Sequence, residues 1–404
     1  MKEILRIAVV SDLHAYDTLQ DGEARPSHLC TTSPEDQPTL HPIAGLLDLI
    51  DKDGLRADAL LCCGDLGDKS RPAGIKYAWE RLHLIKAGLK ADDLFVTSGN
   101  HDLDSRYIHS DDAKGVLQSL TPKYPLADEN LTNKYWSRNY VVLTQDQYRI
   151  VLLNSSAYHG TRNEEFAHGR VSIRTVEALK TELETLEKTS HRDLNILLCH
   201  HHPLKYADIG DPDYSDMEGA ARLVDALGSG DYGHWIIIHG HRHQPRVTYA
   251  TGPATAPVVF SAGSLTAVLY PELQLLARNQ FYIIEFPLDE IKTLGLGLIG
   301  TFQSWDWVLG LGWRRANRDS GLPAYGGFGN RHILSMLDKI EAVINSRGEP
   351  WTLDWADVAT EVPGLKFLLP TDLETLIKRL KTDKQLNVLR DDNGQPAQVG
   401  RKKS

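Results

Sequence analysis

Six short apolar runs, each followed within three residues by Asp, Asn or His, constrain this chain more than any other feature of its sequence. They are Ile4–Val10, Ala59–Cys62, Leu94–Thr97, Arg149–Leu153, Leu194–Cys199 and Trp235–Ile238. Runs this short and this continuously apolar read as strands covered on both faces. Helical patterns fill several of the gaps. Pro42–Lys52 is one and Pro72–Gly88 is another, with Pro72 suited to a first turn. A third starts near Ser172 and carries Val176, Leu179, Leu183 and Leu186 on one face, and a fourth runs from about Asp216 to Leu227. This alternation predicts an α/β domain whose ligands gather at strand ends, and the polar clusters sit at those ends.

The texture changes after His243. Residues 257–262, 281–286 and 292–303 read as strands without helices between them, a mainly antiparallel second half. Gly, Pro, Asn and Ser then concentrate in ANRDSGLPAYGGFGN, which reads as a linker over 316–330 behind a domain of residues 1–315. Beyond it, residues 331–404 show helical patterns at 331–346, 352–361 and 371–382, then Leu386–Arg390 and an Asn393-Gly394 pair suited to a hairpin turn. Three helices and a hairpin describe a small winged-helix-like module.

Five clusters carry the chemistry. Asp12 and His14 lie in VVSDLH, Asp65 in LLCCGDLGD, Asn100 in FVTSGNHD, His201 in LLCHHHP, and His241 with His243 in IIIHGHRH. Carboxylate and amide oxygens with imidazole nitrogens make a set able to hold two divalent cations, and two cations point to phosphate ester chemistry. Asp12 and His14 leave the first strand on the same side. Asp65 has two oxygens and is the natural bridge between cations. Asn100 coordinates without adding charge, and His101 beside it is left to donate a proton or steady a phosphate oxygen. His200, His202 and His239 flank the candidate ligands and read as supporting or core histidines. The segments 15–41 and 103–147 carry no candidate ligand and overhang the site, where substrate choice would lie.

Composition sets limits on partners and compartment. A chain of 404 residues can bury a sizeable core, and its net charge of −10 argues against a surface built for nucleic acid. Residues 325–404 balance 12 Lys and Arg against 11 Asp and Glu. Arg379, Lys381, Lys384, Arg390 and Arg401–Lys403 cluster around the third helix and hairpin, which keeps nucleic acid in view as a partner, with protein contact or self-association ahead of it. The N-terminus leads straight into a strand and lacks the pattern of a secretory signal, and no apolar stretch is long enough for a membrane span. Four cysteines without a CxxC pair read as reduced thiols, so the expected compartment is the cytoplasm. Mixed oxygen and nitrogen donors without cysteine suit Mn, Fe or Zn.

The series DxH, GDxxD, GNHD, HxP and GHxH, over roughly residues 4–265, resembles the calcineurin-like metallophosphoesterase superfamily. That group includes purple acid phosphatases, phosphoprotein phosphatases, cyclic-nucleotide phosphodiesterases and repair nucleases. The resemblance implies a four-layer α/β-β/α sandwich with a dinuclear site at the strand ends. It implies one metal held by Asp12, His14, Asp65 and His243, and a second held by Asp65, Asn100, His201 and His241. The choice of His201 within His200–His202 follows the family's ligand, which stands two residues before a proline, here Pro203. His101 matches the family's proton-donating or phosphate-stabilising histidine, with Asp102 placed to orient it. The implied reaction is attack on phosphorus by a metal-bridging hydroxide. In motif style the chain is closest to the cyclic-nucleotide phosphodiesterase and purple acid phosphatase-like branches, so a phosphodiester or nucleotide-type substrate is expected. A nuclease guided by the C-terminal module is the alternative activity, and a non-catalytic interaction scaffold is the third reading.

Overall fold

The computed structural model describes residues 3–161, 168–205, 216–317, 319–347 and 352–401. Two sheets dominate it. The first has seven strands, its main path running Gly312–Arg315, Gly300–Val308, Asn279–Pro287, Ile4–Val10, Ala59–Cys62 and Asp93–Val96. Ile4–Val10 lies near its middle, parallel to Ala59–Cys62 and antiparallel to Asn279–Pro287. The second has six strands in the order Tyr140–Thr144, Arg149–Leu153, Leu194–Leu198, His234–His239, Val258–Ser261 and Arg246–Tyr249.

Side-chain alternation assigns the layers. Leu5, Ile7 and Val9 enter a core shared between the sheets, where they join Ile196, Leu198, Ile236, Ile238, Tyr282 and Ile284. Ala8 and Val10 point the other way, into a core with Leu46, Ile50, Leu82 and Ile85 of the helices Pro42–Lys52 and Pro72–Leu89. On the second sheet Leu197 and Ile237 share a core with Val176, Leu179, Leu183 and Leu223 of the helices Ile173–Thr189 and Ala220–Gly228. Ser172 caps the first of these by accepting from the Thr175 amide at 3.1 Å. Helix, sheet, sheet, helix is the expected four-layer sandwich, and it explains why the strands are apolar on both faces.

Two segments depart from their sequence reading. Within 292–303, the strand begins only at Gly300, because Leu288–Leu294 is helical with Asp289 and Glu290 in its first turn. The 316–330 stretch is not a slack linker. Tyr325–Phe328 is a strand paired antiparallel to Gly300–Gln303, and Phe328 is buried in the inter-sheet core. The glycines that read as a tether serve close packing: a Cβ on Gly326 would lie 2.3 Å from the Phe302 ring.

The helices Ile333–Arg347, Trp355–Glu361 and Pro370–Lys384 pack with a three-stranded sheet ordered Thr352–Asp354, Pro396–Arg401, Leu386–Arg390. Ile340, Val358, Leu376, Leu380, Leu386 and Val399 form their own core, as a winged-helix-like module requires. The module is nevertheless anchored. Phe367 and Leu369 belong to the inter-sheet core, and the Arg331 guanidinium lies 3.8 Å from the Tyr249 ring centroid. Its cations are largely turned on its own acids: Arg379 on Asp383, Lys384 on Asp338 and Glu341, Arg390 on Glu374. Lys402 and Lys403 lie outside the described residues. The four cysteines are unpaired, three of them buried, and among the described residues no helix is long and apolar enough to cross a membrane.

Candidate metal centre

Every candidate ligand follows a strand at one common edge. Asp12 and His14 follow Ile4–Val10, Asp65 follows Ala59–Cys62, and Asn100 follows Asp93–Val96. From the second sheet come His200–His202 after Leu194–Leu198, and His241 and His243 after His234–His239. These five strands are parallel within their sheets, so their carboxyl ends meet.

The backbone there is unusual. Asp12, His14, Asp65, His241 and His243 have φ of 53°, 47°, 54°, 75° and 52°. A non-glycine residue in this left-handed region costs on the order of 1–2 kcal/mol, so the surrounding structure must impose it. The strand ends do so by pairing across: the Asp12 amide donates to Gly64 O and the His14 amide to Asp65 O, both at 3.0 Å. Two glycines let backbone press against the carboxylates. A Cβ on Gly99 would fall 2.0 Å from Asp65 Oδ1, and one on Gly240 would fall 2.5 Å from Asp12 Oδ2.

The donors converge in two adjoining groups. In the first, His14 Nε2 lies 3.1 Å from His243 Nε2, 3.6 Å from Asp65 Oδ2 and 3.9 Å from Asp12 Oδ1, while His243 Nε2 lies 3.3 Å from Asp12 Oδ1. In the second, Asn100 Oδ1 lies 3.0 Å from His200 Nε2 and 3.1 Å from His241 Nδ1. His200 Nε2 is also 3.3 Å from Asp65 Oδ2, so Asp65 touches both groups.

The histidine run brings two rings to the site. Counting back from Pro203 favours His201, but His200 is the ring that reaches Asp65 and Asn100. Its Nδ1 donates to Cys63 O at 2.9 Å and leaves Nε2 to face the site, the usual way a ligating imidazole is oriented. The physical reason is where the strand ends: the His200 carbonyl still accepts from the Gly240 amide, so its side chain is the first delivered at the common edge. His201 stands one step back, with Nδ1 2.9 Å from Ser155 Oγ and its ring centroid 4.6 Å from that of His241. It remains within reach, since ring nitrogens of His200, His201 and His241 lie within 4.8 Å of one another. Buried His202 stacks on His241 at 5.6 Å and His239 lies beyond it, which is the supporting place expected of both.

Asp102 also differs from its expected role. It does not reach His101. Its Oδ2 accepts from the amides of Asp65 and Gly99 at 2.9 Å each, and its Oδ1 from those of Leu66 and Gly67 at 2.6 and 3.2 Å. It therefore staples two ligand-bearing loops together. Asp68, the second acid of GDLGD, does what Asp102 was expected to do: its Oδ1 lies 3.2 Å from His101 Nδ1. Asp68 was legible in the GDxxD motif, whereas Ser155 and Glu23, discussed below, carry no sequence signal.

Electrostatics prepares the donors. Burial, helped by His101, takes the His14 pKa down to about 4, and burial with neighbouring imidazoles holds His201 and His241 well below the ordinary histidine value. Burial works against charge on His200 too, but the Asp65 carboxylate outweighs it and lifts its pKa to about 9. Burial likewise opposes charge on His101, and Asp65 with Asp68 outweigh it, leaving the pKa raised. Oxygen and nitrogen donors at these separations could hold a metal ion. A further sign is His201 Nε2, buried without a hydrogen-bond partner among the described residues.

A family model described as Calcineurin-like phosphoesterase matches residues 5–245, more than half of the chain and the span containing every candidate ligand. A second model, wHTH-Calcineurin_assc, matches residues 326–382. No curated protein matches this sequence. Among solved structures, the purple acid phosphatase PPD1 from yellow lupin (Lupinus luteus) seeds is similar at 11% identity and a TM-score of 0.45, with 81% of this chain and 54% of that one covered. The phosphopantetheinyl hydrolase PptH from Mycobacterium tuberculosis is similar at 14% identity and a TM-score of 0.34, with 67% and 98% covered. The chain thus spans about half the length of the lupin protein.

Proposed function

Because the chain belongs to the calcineurin-like phosphoesterases, we propose that it hydrolyses phosphate esters, of phosphodiester or nucleotide type, at a centre of two divalent cations. One observation carries this reading: seven side chains from five strand ends aim oxygen and nitrogen donors at one small volume, five of them on backbone held in a costly conformation. Asp12, His14, Asp65 and His243 would hold one cation, and Asp65, Asn100, His200 and His241 the other. When bound, the pair would supply a water acidic enough to act near neutral pH and would neutralise phosphate oxygens.

The chain's own residues supply the rest. Asp65 keeps the two groups in register. His101, whose pKa is raised by Asp65 and Asp68, is placed to give a proton to the leaving oxygen. Asp68 fixes one ring nitrogen of His101 and so the direction of the other. The self-paired cations of the C-terminal module support protein contact or self-association more than nucleic-acid binding, and with it a small-substrate enzyme more than a guided nuclease.

The test is hydrolysis of bis-p-nitrophenyl phosphate by Mn-loaded protein, followed by a panel of cyclic nucleotides, nucleotides, oligonucleotides and phosphopeptides. Asp65→Asn and His101→Ala should each lower kcat by about 100-fold or more with the fold retained. Metal-loaded protein that cleaves none of these esters would leave only the interaction-scaffold reading.

A further inference from the structure

We propose that Glu23, on the long loop between the first strand and the first helix, is a positioning residue for His101, acting through Arg71 and Asp68. The inference rests on the hydrolase reading above and extends it to a loop that carries no metal donor.

Four side chains form a continuous chain. Glu23 Oε2 lies 2.6 Å from Arg71 Nη2, Arg71 Nη1 lies 2.6 Å from Asp68 Oδ2, and Asp68 Oδ1 lies 3.2 Å from His101 Nδ1. The links are shielded, with Glu23, Arg71 and Asp68 side chains 14%, 11% and 5% exposed. Glu23 is itself fixed, accepting from the Gln20 amide at 3.1 Å and pairing with the Lys69 ammonium.

The fork of the guanidinium is what gives Glu23 leverage. An arginine facing a single carboxylate tends to engage both oxygens at once. Here one arm is taken by Glu23, so Arg71 takes only Oδ2 of Asp68 and leaves Oδ1 to His101. Without Glu23, the freed arm can close on Oδ1, and the contact displaced is the one to His101. The segment between is tensioned: Lys69 and Ser70 sit at φ 51° and 55°, held by Ser70 N donating to His101 O at 2.6 Å and Asp68 N to Ala15 O at 3.0 Å. His101 Nδ1 also faces the Lys69 amide at 3.2 Å. A well-placed Asp68 favours a proton on Nδ1, whereas a withdrawn Asp68 leaves the amide, which favours a bare Nδ1. Movement of the first loop would thereby reach the proton donor.

The experiment compares Glu23→Ala and Glu23→Gln in the full, metal-loaded chain. Glu23→Ala should lower kcat on bis-p-nitrophenyl phosphate about tenfold, with KM and bound metal unchanged, and Glu23→Gln should recover most of the loss because its amide oxygen still accepts from Arg71. In a His101→Ala background, Glu23→Ala should change kcat less than about twofold, since coupled groups are not additive. A full tenfold loss in that background, or a loss that follows metal content, overturns the proposal. If the wild type cleaves no ester, the hydrolase reading fails, and the linkage is decided by ¹⁵N NMR of His101 in zinc-loaded protein. Nδ1 should be protonated in the wild type and lose that proton's signature in Glu23→Ala; an unchanged signal overturns the linkage.

Discussion

Replacing Asp102 with asparagine should lower stability before it lowers chemistry. Asp102 is fully buried, and its two oxygens accept four backbone amides, those of Asp65 and Gly99 on one and Leu66 and Gly67 on the other. Burial and the Asp65 carboxylate push its pKa up to about 7. Amide donors aimed at both oxygens, however, leave no acceptor for a carboxyl proton, so the ionised form is the one the loops are built on. Asparagine keeps one oxygen and turns its NH2 towards the other two donors. Each buried amide without an acceptor costs about 1–3 kcal/mol, so two cost about 2–6 kcal/mol, and relaxation of the loops should bring the net near 3 kcal/mol. At about 2 °C per kcal/mol, a conservative figure for a chain this long, the melting temperature should fall by roughly 6 °C. Differential scanning calorimetry measures this, with kcat and metal content taken on the same preparations well below the transition. A variant that melts within about 1 °C of wild type but has lost kcat would mean that Asp102 serves His101 after all, and the stapling argument would be refuted.

Three further outcomes are expected. Gly99→Ala places a Cβ where Asp65 Oδ1 stands, so it should lower bound metal to below one equivalent while the chain stays folded, as read by elemental analysis and circular dichroism. Cation uptake should release about one proton, because His200 at about 9 is protonated in the metal-free protein at neutral pH while His14, at about 4, is not. The sign follows: affinity should rise with pH by up to about tenfold per unit below 9 and level off above it, and calorimetry in buffers of different ionisation heat counts the proton. Phe367→Ala should destabilise the sandwich and the C-terminal module together by about 3–5 kcal/mol, giving one calorimetric transition, since Phe367 lies fully buried in the inter-sheet core. Early, separate melting of the module would contradict this.

The strands and their polar ends were legible because burial on both faces leaves continuous apolar runs, and because a parallel strand must stop where the site begins. The helices were legible from periodicity and from cues as local as Pro72 and Ser172. What escaped was non-local. Tyr325–Phe328 has the composition of a tether, and only its pairing with Gly300–Gln303 makes it a strand. His201 follows from a count back from Pro203, whereas the contacts of His200 with Asp65 and Asn100 are made across two sheets and carry no sequence signal. Asp102 stands next to His101 in sequence, but its carboxylate faces four amides drawn from two loops, an arrangement that no spacing announces. Glu23 lies 45 residues or more from Asp68, Lys69 and Arg71, in a loop with no pattern of its own.

The left-handed backbone at Asp12, His14, Asp65, His241 and His243 has a consequence for any attempt to improve this protein. At on the order of 1 kcal/mol each, five such residues hold back an amount comparable to the whole net stability of an ordinary domain. Glycine at any of them would relieve part of that strain and remove a donor in the same step. Directed evolution for heat resistance alone would therefore drift towards glycine at these five positions and erase the centre. Sequenced survivors of such a selection, enriched for glycine at the strand ends, would map the site without a single activity measurement.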